Sequence, residues 1–230
     1  MLNRLLSSVL ALAYVAVEAK HQFCILKCRF AGAIKLQIKI MTELEQYIKS
    51  YFGIVAIDDL KTMVSLFKTS TLKRGEFLLK SGRYCNSLSF VQSGLLRMFV
   101  PIEDKEVTQW ISTKGYFSTD LSSFIFETPS RWTIQALVDT EVYSISKEDY
   151  KKIGNLVPKW SELEKLFLVR CFTILEDRIF SHLAMTAEER YKLFFENNKE
   201  LFNQVPLQYI ASMLGMTPET FSRIRKKQLL

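Results

Sequence analysis

Histidine is scarce: the 230 residues contain only His21 and His182. Imidazole is the side chain whose ordinary pKa lies nearest neutrality, so general acid–base chemistry has few candidates here. No nucleophile, base and orienting group converge along the chain, which argues against an enzyme. Cysteine is limited to Cys24, Cys28, Cys85 and Cys171. Cys24 and Cys28 bracket CILKC with no second pair nearby, so no zinc pattern forms and no metal is expected. Nothing suggests a disulfide framework. The apolar run 5–17 is too short for a comfortable membrane span, and no membrane partner is expected.

What remains is a globular composition, 48% hydrophobic and 24% charged, long enough for two modest domains. The net charge of +7 is uneven. Six basic residues against Glu18 leave +5 in the first forty positions and +2 in the rest. The overall charge is thus weak evidence for nucleic acid. The local charge near the C-terminus is better: Arg223, Arg225, Lys226 and Lys227 stand against Glu219.

Residues 1–40 do not match the rest of the chain. They read in three ways: a signal peptide, a packed extension, or translated upstream sequence with Met41 as the start. We take the third, because MTELEQYIKSYF opens like a domain. Thr42 can cap a helix, Glu43 and Glu45 suit its first turn, and Leu44, Tyr47, Ile48 and Phe52 form a stripe. The cytoplasm is the expected compartment, since export and a DNA-reading tail contradict each other.

Residues 41–155 begin with two predicted helices, 42–51 and 57–66. Gly75, Gly82, Gly94 and Gly115 then punctuate short strands at 77–79, 88–91, 95–100 and 106–111, followed by 132–137 and 141–145. Many short strands at such intervals indicate a barrel or roll. The pocket is placed in GYFSTDLSSFIFETPSRWTIQ, with a short helix or loop at 118–124. A helix start beside Arg131 suits a small anion, and Asp120 can accept from a hydroxyl. Both also have plain structural readings, as a surface residue and a helix cap.

Residues 156–185 read as one helix of about 25 residues opened by Pro158. Trp160, Leu163, Phe167, Cys171 and Ile174 recur at three- and four-residue steps, widened by Leu166, Val169 and Phe172. That apolar surface needs a partner: the helix's own domain or the same helix of a second copy.

Residues 186–230 carry the strongest signal. Thr186 and Glu189 form a capping-box-like start, and 187–197 is amphipathic. Leu207, Ile210, Ala211 and Leu214 recur at helical spacing, Gly215 suits a left-handed helix end, and Thr217-Pro218 suits a new start. Phe221 and Ile224 face inward. This is a helix-turn-helix pattern over 207–227, whose second helix can enter a major groove of double-stranded DNA. Glu219 is placed on a base, Arg223 on a guanine or a phosphate, Thr220 and Ser222 on phosphates, and Lys226 and Lys227 on the backbone, with Thr217 at the helix start.

KRGEFLLKSGRYCNSLSFVQSGLLRMF, VDTEVYSISKEDY and IASMLGMTPETFSRIRKK together resemble the cyclic-AMP receptor protein/FNR-like family of bacterial transcription regulators, over about residues 41–230. The resemblance implies an α+β fold: a jelly-roll-like cyclic-nucleotide-binding β-roll, a long connecting and dimerisation helix, and a winged helix-turn-helix. It implies a homodimer that activates or represses transcription, with RNA polymerase as a further partner. The family's base-reading glutamate and arginine match Glu219 and Arg223, with Pro218 where an arginine usually stands. The ribose-holding Gly-Glu pair reads Thr119-Asp120. The phosphate-holding arginine and its following hydroxyl residue read Ser130-Arg131, one out of register, which in a strand turns the side chain over. Any effector is therefore expected to be something other than cyclic AMP. No N-terminal cysteine cluster supports an iron–sulfur sensor, and neither histidine supports a haem sensor. The wing is truncated at Gln228–Leu230; either the subgroup dispenses with it or the sequence is cut short. The alternative function is a ligand-binding or protein-interaction module of the same fold that no longer binds DNA.

Overall fold

The computed structural model describes residues 42–228, apart from 54 and 104. The three readings of residues 1–40 lie outside the described residues. Helices α1 (Glu43–Phe52) and α2 (Ile57–Ser65) lead in. Eight strands come next: β1 (Lys68–Leu72), β2 (Phe77–Leu79), β3 (Ser87–Ser93), β4 (Leu96–Ile102), β5 (Lys105–Ser112), β6 (Phe117–Ser118), β7 (Thr133–Ala136) and β8 (Thr140–Ser146). A short helix α3 (Leu121–Phe126) lies between β6 and β7. The strands form two antiparallel four-stranded sheets, ordered β1-β8-β3-β6 and β2-β7-β4-β5. Their inward residues, among them Leu88, Phe90, Val91, Leu96, Ile134, Val142 and Ile145, make the core of a β-roll.

The helical remainder is α4 (Lys147–Leu156), α5 (Trp160–Ala184), α6 (Ala187–Asn197), α7 (Leu201–Gln204), α8 (Leu207–Met213) and α9 (Pro218–Gln228). Local chemistry sets several starts. Thr42 and Glu45 close a capping box on α1, as Thr186 and Glu189 do on α6. Two further elements have distinct origins. β1 is KTSTL, polar and mostly exposed, and is a strand because its backbone pairs with β8. α4 is opened by Ser146, whose hydroxyl accepts from Asp149 N at 3.1 Å.

α5 packs its first half into the roll core. Phe167 is fully buried and stacks on Phe52 at 4.8 Å, with Phe117 edge-on at 5.2 Å. A second core joins Tyr191, Phe202, Ile210, Ala211, Phe221 and Ile224 of the C-terminal helices. That bundle docks on β4 and β5. Arg97 is 1% exposed; its guanidinium lies 3.5 Å from the Tyr209 ring centroid and 4.2 Å from that of Phe99. Its Nη1 pairs with Glu106 at 2.6 Å.

The β3–β4 turn depends on Gly94, with φ +88°. A Cβ there would stand 2.5 Å from Thr140 Oγ1 and 2.6 Å from the Asp139 carbonyl oxygen. Gly94→Ala should therefore cost at least about 2 kcal/mol, since left-handed strain and the backbone collision add. Gly82 has φ +79° and open space around it, so Gly82→Ala should cost less than Gly94→Ala. Denaturant midpoints of the two variants check the order.

Candidate functional site

Two regions carry functional geometry: the exposed side of α9 and a cavity between the roll and α5. The turn before α9 is built by Gly215, in the left-handed conformation at φ +68°. Thr217 Oγ1 accepts from Thr220 N at 3.2 Å, capping the helix that Pro218 opens. Phe221 and Ile224 are buried, 1% and 7% exposed, and anchor α9 to the second core. That leaves Thr217, Glu219, Ser222, Arg223 and Lys226 exposed, with Thr220 half-buried. Its own backbone N–H and the Thr217 hydroxyl hold the Glu219 carboxyl below its usual range, so it stays ionised. Lys227 is engaged differently: its Nζ pairs with Glu188 at 3.0 Å.

The cavity measures about 290 Å³. Thr119, Asp120 and Arg131 line it, whereas Ser130 does not. Asp120 caps α3, accepting from Ser123 N at 3.2 Å, and its other oxygen accepts from the Ser130 hydroxyl at 2.7 Å. Ser130 is 2% exposed and is occupied by Asp120 and by Trp132 N at 3.0 Å. The Thr119 hydroxyl donates to the Ser87 carbonyl at 3.0 Å. Arg131 is exposed, its guanidinium 5.4 Å from the Trp132 ring centroid. Asp120 and Ser130 thus satisfy each other. The rest of the lining is largely apolar, including Met98, Trp110, Phe117, Trp132, Ile174 and Leu175. Burial pushes the Cys171 thiol up to about 11, so it lines the cavity as a neutral group.

The residues read as a dimer contact are divided by burial. Trp160, Leu163, Phe167 and Cys171 are buried in the chain's own core and cannot meet a second copy; Ile174 is partly exposed. The helix is apolar on more than one side, and the first half of this stripe goes inward. The apolar residues of α5 left outside include Leu168, Val169, Phe172, Leu175, Ile179, Phe180 and Leu183.

Several long-range contacts carried no local sequence signal. Arg97 reaches Tyr209 across the roll-to-bundle junction. Arg178 Nη1 donates to the Gln109 carbonyl, and its Nη2 donates to the Met213 carbonyl at 2.9 Å. Burial lowers the Arg178 pKa. Among the described residues no group of three or more His, Cys, Asp or Glu gathers as a metal site, and no helix is long and apolar enough to cross a membrane.

A family model described as the cyclic nucleotide-binding domain matches residues 69–155. No curated protein shows a significant match. Among solved structures, FixK2 from Bradyrhizobium japonicum is similar at 18% identity and a TM-score of 0.58, covering 70% of this chain and 83% of its own. The CLP regulator of Xanthomonas campestris, described as c-di-GMP responsive, has 15% identity and a TM-score of 0.56, with 76% and 92% covered. A substituted CooA from Carboxydothermus hydrogenoformans has 22% identity and a TM-score of 0.52, with 71% and 77% covered. The chain carries a cyclic-nucleotide-binding-like roll and matches in fold the cyclic-AMP receptor protein/FNR-like family of bacterial transcription regulators.

Proposed function

We propose that the chain is a homodimeric, sequence-specific DNA-binding transcription regulator whose roll senses a small molecule other than cyclic AMP. The observation that carries it is α9: Phe221 and Ile224 anchor it while Glu219, Ser222, Arg223 and Lys226 stand free of the core. A short capped helix of that kind suits a major groove. In this reading residues 41–155 sense, 156–185 dimerise and 186–230 read DNA. Glu219 and Arg223 contact bases; Thr217, Thr220, Ser222 and Lys226 contact phosphates. Lys227 joins them after leaving Glu188. RNA polymerase is the expected further partner and the cytoplasm the expected compartment.

The residues present do not fit cyclic AMP. Asp120 is occupied by Ser130, and Arg131 is exposed over Trp132 rather than held beside Asp120. A phosphate met only by an exposed guanidinium gains little in water.

The test is a titration of the full chain against a pool of random duplex DNA at two salt concentrations, with and without cyclic nucleotides. Enrichment of a two-fold symmetric site is expected, weakening as salt rises. Arg223→Ala should lower affinity for the enriched site about 5- to 150-fold, the usual worth of one base-reading pair. Folded wild-type protein that enriches nothing would support the interaction-module reading instead. Sharpening by cyclic AMP would overturn the assignment of the pocket.

A further inference from the structure

Two buried polar atoms of the roll cavity have no hydrogen-bond partner among the described residues: Gln109 Oε1 and Ser118 Oγ. Ser118 is 3% exposed. A buried polar atom left unmet is unfavourable. Each is therefore a point that a ligand's hydrogen-bond donor could satisfy in a largely apolar space.

Gln109 is also the extra residue of a β-bulge. Met98 on β4 faces Trp110 on β5, and Phe99 faces Thr108, which leaves Gln109 without an opposite residue. β5 is an edge strand. Its outer backbone groups are met by the helical part of the chain. The Gln109 carbonyl accepts from Arg178, which also holds the Met213 carbonyl at the end of α8. One residue earlier, Thr108 N donates to Ser212 Oγ of α8 at 2.9 Å. The bulge residue therefore lines the cavity and, through Arg178 of α5, is linked by its backbone carbonyl to the end of α8.

We propose that Gln109 determines what the roll accepts and relays it: its amide takes a hydrogen bond from a neutral, flat aromatic ligand bearing one N–H or O–H, and its carbonyl carries the response through Arg178 to α8. The inference rests on the reading of the roll as a sensor. Neutrality follows from the lining. Asp120 is already engaged and Arg131 is exposed, so no buried charge waits to be matched. Flatness and aromaticity follow from Trp110, Phe117 and Trp132 around about 290 Å³, the lower end of small-molecule sites. A ligand shifts the docked bundle only as far as it binds one arrangement better, and Gln109 supplies that difference.

The test uses the full chain with indole and 1-methylindole, which differ by a single N–H, titrated by NMR. Indole should bind the wild type about tenfold more tightly than 1-methylindole, the order of one buried hydrogen bond. In Gln109→Leu the ratio should fall to about one; Gln109→Met repeats the test should leucine prevent folding. Equal binding by the wild type, a ratio retained in either variant, or no binding of either probe overturns the assignment. DNA affinity measured with and without indole judges the relay. A response in the wild type of at least threefold, lost in Arg178→Lys at unchanged indole affinity, supports it. A tenfold preference for indole with no DNA response keeps the Gln109 contact and overturns the relay. Protein that binds no DNA at all overturns the regulator reading, while the indole ratio still decides the contact.

Discussion

Phe172→Asp should abolish the proposed pairing of two α5 helices without unfolding the chain. Phe172 is 61% exposed and lies on the stripe Leu168, Phe172, Leu175, Ile179, with steps of four, three and four residues. Two such helices side by side would bury the stripe as a coiled-coil seam. A carboxylate in that seam would be desolvated opposite its own copy, and like charges at close range in an apolar contact are strongly unfavourable. The isolated chain gives the carboxylate ample water, so the melting temperature of the monomer should change little. DNA affinity should fall about 10²- to 10⁴-fold, because a second half-site no longer binds at high effective concentration. Sedimentation and a duplex titration on one sample check both parts. A variant that stays dimeric places the interface elsewhere.

Phe167→Ala, five residues earlier on the same helix, should do the reverse. Phe167 is fully buried among Phe52, Phe117 and Tyr51, with the closest ring centroid at 4.8 Å. Losing its ring removes transfer free energy and leaves a cavity that α1 and α5 cannot both close. The expected cost is about 3–5 kcal/mol. Against a total stability of about 5–15 kcal/mol, that is a large share. The melting temperature should fall by roughly 6–20 °C. Urea unfolding followed by tryptophan fluorescence reads it directly, because Trp160 stands 5.3 Å from Phe52 in the same cluster. A cost below about 1 kcal/mol would mean that α5 is held mainly by other contacts.

The contrast between those two phenylalanines shows what the sequence could and could not convey. Caps and turns were readable because their chemistry is local. Thr42 with Glu45, Thr186 with Glu189, and Gly215 with Thr217 and Pro218 each act within a few residues. The glycines between strands were readable for the same reason. Which side of α5 goes inward was not, because apolar residues run round most of the helix and only the packed roll decides. The lining of the roll cavity was partly readable. Thr119, Asp120 and Arg131 do line one cavity, but the Asp120–Ser130 bond that occupies two of the four candidates spans ten residues and has no periodic signature. Arg97 with Tyr209 and Gln109 with Arg178 are longer-range still. A bulge in an edge strand leaves no mark in composition at all.

The pairing of β1 with β8 bears on how the protein is made. Lys68–Leu72 bonds to Thr140–Ser146, a partner roughly seventy residues further along. At about 5–20 residues per second, the ribosome needs roughly 4–15 s to deliver β8 after β1 has been synthesised. For that interval β1 has no native neighbour to satisfy its backbone. Its composition, KTSTL, is polar enough to wait in water without attracting other unpaired strands. The residues that weaken β1 as a sequence signal are thus the kind that keep an unpaired strand from pairing with other chains. The same delay orders events, because the α9 helix is synthesised after every strand of the roll.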